Sequence, residues 1–169
     1  MKLIILFLFF NFNLFSQKDT LHNHEVVSLF KEITKSEGSE LNDSVARHQI
    51  FIANHKKIID LIKYQGFPNI KNDDFKKREK KLILGGFAVN FCHILQVYPK
   101  LILNDSIIKL IKIEIDSNRL DKNHLIPCLK LFIFDNMKKE KSETLDLFFK
   151  KAIDSWGIKE SDLIINNIK

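Results

Sequence analysis

Val26, Val27, Leu29, Phe30 and Ile33 recur at the spacing of one helical face, and the same three-to-four rhythm returns along most of the chain. Residues three and four apart stack above one another on a helix, so each such segment carries one apolar stripe that must be buried. The spacing predicts a first helix over 21–35, capped by Thr20 and stopping near Gly38. A second helical region starts at Asn42 or Asp43, carries Val45, Ile50, Phe51, Ile58, Ile59, Leu61 and Ile62, and ends at Gly66-Phe67-Pro68. There Gly can take the left-handed terminating conformation and Pro forbids continuation. Residues 54–64 alone have a clean apolar face, so Asn54 reads as the cap of a fresh start inside this region.

Asp73 or Asp74 is expected to open a helix that is first charged and then apolar from Leu82 to Val97. Gly85-Gly86 in its middle costs about 2 kcal/mol of helix propensity relative to two alanines. Either close packing against a neighbouring helix offsets that cost or the helix breaks there. Asn104 or Asp105 caps a helix that closes near Asn118, and Asp121 caps another through Leu125, Leu129, Phe132 and Met137. Pro127 is awkward in that helix unless its start is later, and 129–134 also fits a short buried strand. Ser142 precedes a further amphipathic helix through Phe148, Phe149, Ile153 and Trp156, ended by Gly157, with a short tail helix from Ser161. The expected fold class is all-α, an irregular bundle of about six helices in one domain that follows an N-terminal signal peptide.

That leader is read from Lys2, the apolar run Leu3 to Phe15 and the small Ser16. The run is short of the roughly 20 apolar residues that span a bilayer, so no stable membrane span is expected. The division is a signal peptide over 1–16 and a helical domain over 17–169, which places the protein outside the cytoplasm, periplasmic or secreted. For a cut after Ser16, Leu14, two positions before Ser16, is larger than the small residue preferred there. The alternative is a buried first helix of a cytoplasmic protein, but Phe7, Phe9, Phe10, Phe12 and Phe15 leave it no polar face, so it would need burial on all sides.

Basic residues number 27 against 21 acidic, a net charge of +6. Only Arg47, Arg78 and Arg119 carry the planar fork that reads phosphates and bases, and the lysines are scattered as on a solvated surface. The densest run, Lys76 to Lys81, is interrupted by Glu79, so no nucleic-acid partner is expected. Gly85-Gly86 lacks the frame of a phosphate cradle, and no cofactor is expected. Cys92 and Cys128 lie 36 positions apart and belong to no zinc-type spacing. They form either two buried thiols or a disulfide, the latter worth about 3–4 kcal/mol if their Cα atoms come within about 7 Å.

Asn54, the pair Ile58-Ile59, Gly66-Phe67-Pro68, a following helix with His93 and a later one with Asp135 resemble an uncharacterised bacterial domain-of-unknown-function family. Its members carry a helix ending in Gly-Trp-Pro, a following helix with Gln-His and a later helix with Asp-Arg. Here Phe67 stands at the Trp position, Cys92 precedes His93 and Asn136 follows Asp135. The resemblance spans about residues 43–138, implies no established activity, and marks Asn54, Gly66, Pro68, His93 and Asp135 as positions to follow.

His93 and Asp135 are the catalytic candidates: His93 as general base, Asp135 orienting it across the bundle, Asn54 adding a hydrogen bond. Asn54, His55 and Phe67 are the ligand-binding candidates. Against these stand plainer roles: a core histidine bonded to a neighbour, a buried carboxylate, and Phe67 and Trp156 as core aromatics. Cys92 and His93 diverge by about 100° on a helix and cannot form a dyad. His48 and His55 are two turns apart, about 10.5 Å, too far to share an ion, and His22 and His24 point to different faces. No metal site is expected, because one would have to be assembled from distant segments such as His55, His93 and Asp135.

The leading expectation is an exported, non-catalytic domain that binds a protein or small-molecule partner in the cell envelope. The alternative is an envelope hydrolase using His93 and Asp135. A hydrolase needs both side chains in one solvent-reachable pocket and within hydrogen-bonding range of each other. A binding domain leaves them buried or apart and works through an exposed groove.

Overall fold

A computed structural model describes residues 21–38, 43–71, 74–136 and 143–164. The expected signal peptide, Thr20, Asn42, Asp73, Met137 and Ser142 lie outside these residues. The protein is all-α: six helices and no strand among the described residues. They are α1 (Asn23–Glu37), α2 (Ser44–Gln65), α3 (Lys77–Val97), α4 (Asp105–Asp116), α5 (Ile126–Asn136) and α6 (Glu143–Ser155). Short 3-10 turns at Pro99–Leu101, Lys122–His124 and Glu160–Leu163 connect or follow them. No described helix is long and apolar enough to cross a membrane.

The helix starts follow local chemistry. Asp43 accepts the Val45 N–H at 2.8 Å to begin α2, and Asn104 accepts the Ile107 N–H at 3.2 Å to begin α4. Two expected starts shift. Asp74 sits in a turn whose next residue, Phe75, is buried in the core, and α3 begins only at Lys77, with the Lys76 N–H donating to Glu79 Oε2 at 2.7 Å. Asn54 caps nothing, because α2 runs unbroken from Ser44 to Gln65 and the Asn54 amide reaches across to α1 instead.

Pro127 is the second residue of α5, where its missing N–H has no intrahelical acceptor to lose. Asp121 opens the preceding 3-10 turn, taking the Asn123 N–H at 2.9 Å, so the expected single helix from Asp121 is two elements. The stretch 129–134 is helical throughout.

Helix α3 lies at the centre, packed on α1, α2 and α5, while α4 packs on α6. Gly85-Gly86 does not interrupt it. A Cβ on Gly86 would lie 3.0 Å from Phe30 Cδ1 and 3.1 Å from Thr34 Oγ1, so α1 touches α3 at a position only glycine leaves open. Phe67 sits in the core with its ring edge-on to Phe30 and Phe87, at centroid distances of 6.5 and 5.0 Å. Trp156 is buried beyond the end of α6 and donates its indole N–H to the Ile108 carbonyl at 3.0 Å, tying α6 to α4. Cys92 and Cys128 are bridged, with S–S 2.04 Å and Cα–Cα 4.7 Å, which staples α3 to α5.

Candidate functional site

Where α1 ends, its last residue turns inward. Glu37 has a side chain only 1% exposed and meets polar groups from both α2 and α3. Its Oε1 accepts Asn90 Nδ2 at 2.6 Å and Asn54 Nδ2 at 3.2 Å, and its Oε2 lies 2.9 Å from His93 Nδ1. Asn90 and His93 are three apart on α3, so they present one face to this carboxylate. Asn90 Nδ2 also donates to the Phe51 carbonyl at 3.0 Å, and Asn54 Nδ2 to Ser36 Oγ at 2.9 Å.

Aromatic rings enclose this polar node. Phe51 stacks on the His93 imidazole with centroids 4.2 Å apart and planes 21° from parallel. His48, one turn before Phe51, contacts Phe51 and sets its ring edge-on to Tyr98 at 5.8 Å. His55, one turn after Phe51, lies beside Asn90 and the Leu101 carbonyl. Burial holds its pKa below the usual 6.5, against the opposing effects of Asn90, the Leu101 carbonyl and the Glu37 charge. Asn90 Oδ1, fully buried, has no partner within hydrogen-bond geometry among the described residues.

His93 and Asp135 do not meet. Asp135 Oδ2 accepts Gln96 Nε2 at 2.8 Å, near one turn further along α3, while the acceptor that fixes the His93 ring is Glu37. Of the expected ligand-binding residues, Asn54 and His55 belong to the polar node, and Phe67 is core with no ring face open to a ligand. His22 and His24 stack with centroids 6.0 Å apart; His22 precedes the first helical residue, so helical angles do not separate the two.

Glu37 was hidden in the sequence because it ends a polar run, Lys35-Ser36-Glu37-Gly38, that reads as a solvated helix terminus. One signal does point to it. A carboxylate is disfavoured at the negative end of a helix dipole, so a glutamate in that place needs donors from elsewhere. A second carboxylate went unmarked for a similar reason. Glu114, 2% exposed, accepts Arg119 Nε at 2.6 Å, Arg119 Nη2 at 2.9 Å and the Phe67 N–H at 2.9 Å. The Glu114 hydrogen bonds raise the Arg119 pKa against the opposing effect of burial, and the Glu114 charge adds a smaller rise. The bonds also lock the Gly66-Phe67 turn, where Gly66 adopts φ 82° with the Arg119 guanidinium against it.

Two grooves open on either side of α3. One, of about 640 Å³ between α1 and α3, is lined by Val27, Lys31, Arg78, Leu82, Gly85 and Val89. The other, of about 350 Å³ between α3 and α5, is lined by Val89, the disulfide, His93, Gln96, His124 and Leu131. His93, with Nδ1 held by a carboxylate, has the makings of a proton acceptor, but both cysteines are oxidised and so supply no thiolate. Among the described residues no group of three or more His, Cys, Asp or Glu side chains is arranged to hold a metal ion.

Comparison with protein-family models, with curated proteins and with solved structures returns no match.

Proposed function

We propose that this chain is an exported, non-catalytic binding domain of the cell envelope, of the uncharacterised bacterial kind its residues resemble. The observation that carries the reading is that His93 and Asp135, the expected catalytic pair, do not meet. The His93 Nδ1 is committed to Glu37, whose other oxygen is taken by Asn54 and Asn90, so the four residues cross-link α1, α2 and α3. Such a network fixes helix register. The alternative hydrolase would pair His93 with Asp135, and Asp135 is engaged with Gln96 instead.

What remains accessible is concave surface flanking α3, the kind of feature a binding domain uses. Export draws support from the leader-like start and from the Cys92–Cys128 disulfide, since such bridges persist in oxidising compartments. The test joins two measurements on the full chain expressed in a bacterial host. Intact mass of the envelope fraction should show the oxidised chain cut near residue 16. The purified protein and its His93→Ala variant should be equally inert towards ester, peptide and phosphoester substrates. Turnover that His93→Ala abolishes would establish the hydrolase instead, and an uncut, reduced, cytoplasmic chain would remove the export.

A further inference from the structure

We infer that the α1–α3 groove seats an amphipathic helix of a partner protein that carries carboxylates along one flank, a reading that rests on the binding role proposed above. The floor is built for a backbone to come close. Arg78, Leu82, Gly85 and Val89 follow one another by four, three and four positions and so form a straight stripe along α3. That stripe runs about 16 Å, three turns of helix. At its middle Gly85 is exposed, and a Cβ built there meets nothing within 4 Å. The neighbouring Gly86 shows what such a bare backbone permits, because α1 already rests against it through Phe30 and Thr34. Gly85 offers the same close approach on the outer side, between the exposed Val89 and the half-buried Val27 and Leu82.

Charge selects the occupant. Lys31, Arg78 and Lys81 stand on the groove, all exposed and without an ion-pair partner among the described residues. Four lysines elsewhere form ion pairs, Lys56 with Asp60, Lys57 with Glu32, Lys112 with Asp116 and Lys151 with Asp105, and none of these stands on the groove. The acid on the groove, Glu79, already accepts the Lys76 N–H. An apolar floor under unneutralised cations complements an apolar stripe flanked by Glu or Asp.

The probe is a labelled synthetic amphipathic helix of about 15 residues, with leucines at one face and glutamates beside them, and a twin with glutamines in their place. Binding to the purified chain is followed by fluorescence anisotropy across a salt series. The glutamate probe should bind, weaken with salt, and lose about tenfold or more in affinity to the Gly85→Leu variant and to the Lys31→Glu/Arg78→Glu/Lys81→Glu variant. Leucine is a better helix former than glycine, so Gly85→Leu fills the groove without unfolding α3, and its thermal transition should not fall. Equal binding of the glutamine twin, or no binding of either probe, overturns the acidic-helix assignment while leaving the non-catalytic reading to its own substrate test. Binding indifferent to Gly85→Leu removes the groove as its seat. Displacement of the probe by dodecanoate at equal concentration would reassign the groove to an anionic amphiphile. Concentration-dependent self-association that Gly85→Leu abolishes would reassign it to a second copy of this chain.

Discussion

Glu37 and His93 are 56 positions apart in sequence and meet at 2.9 Å, the carboxylate closed off from solvent and the imidazole a third exposed. The pair joins the end of one helix to the second half of another, and Asn54 and Asn90 complete it from two sides.

Removing the acceptor should therefore cost more than removing any one donor. Glu37→Ala leaves Asn54, Asn90 and His93 without their shared acceptor and should destabilise the fold by about 3 kcal/mol or more. Glu37→Gln keeps one oxygen and should cost less. Urea unfolding of both variants measures this, and a loss under about 0.5 kcal/mol for Glu37→Ala would mean that the node is not holding the helices together.

The depressed pKa of His55 predicts a pH dependence with a defined sign. Folded His55 resists protonation relative to its usual 6.5, so the unfolded chain binds the proton more readily. Its contribution to stability is whole above about pH 6.5 and is lost as the pH falls below that value toward the folded pKa. His55→Gln should flatten the decline in unfolding free energy between neutral and mildly acid solution. An unchanged slope would place the titrating group elsewhere.

The adjacent glycines of α3 should respond to the same change with opposite signs. Gly85→Ala meets open space and should stabilise the protein by up to about 1 kcal/mol through helix propensity alone. Gly86→Ala drives a methyl to within 3.0 Å of Phe30 and should destabilise it by about 1–3 kcal/mol. Thermal melts of the two variants side by side decide the matter.

Arg119→Met strips Glu114 of both guanidinium bonds and leaves a buried carboxylate with the Phe67 N–H as its remaining partner there. A loss of about 3 kcal/mol is expected, and Glu114→Gln in the same background should recover part of it. Gly66→Ala should destabilise as well, because φ 82° strains a side chain and its methyl would reach the guanidinium at 2.8 Å. Chemical denaturation reports on each, and additivity of Arg119→Met with Gly66→Ala would argue against their coupling.

The helices were readable from sequence because each one repeats its apolar stripe several times, and a repeated signal survives one odd residue. At Gly85-Gly86 close packing is the alternative that holds, since Gly86 touches Phe30, and at Pro127 it is the later start, where a helix has no bond to lose. The polar node was only half readable. Asn54, His55 and His93 stand out as polar residues on apolar helices, whereas Glu37 ends α1 in a polar run and Arg119, at the other buried carboxylate, lies in a polar turn, both places where charge is ordinary. Their partners are set by tertiary packing over tens of residues, which no local pattern encodes. The pairing of His93 with Asp135 failed as a geometric guess for that reason, since Glu37 is the carboxylate that α1 delivers to the ring.

The bridge between Cys92 and Cys128 makes a covalent ring of everything between them, including all of α4 and the turn at 117–121. A protease that nicks that turn, where Asn118 already sits at φ 60°, severs the backbone without releasing a fragment. The two pieces would travel as one species until a reductant is added. A chain shaped in this way can be clipped there and still keep its helices together.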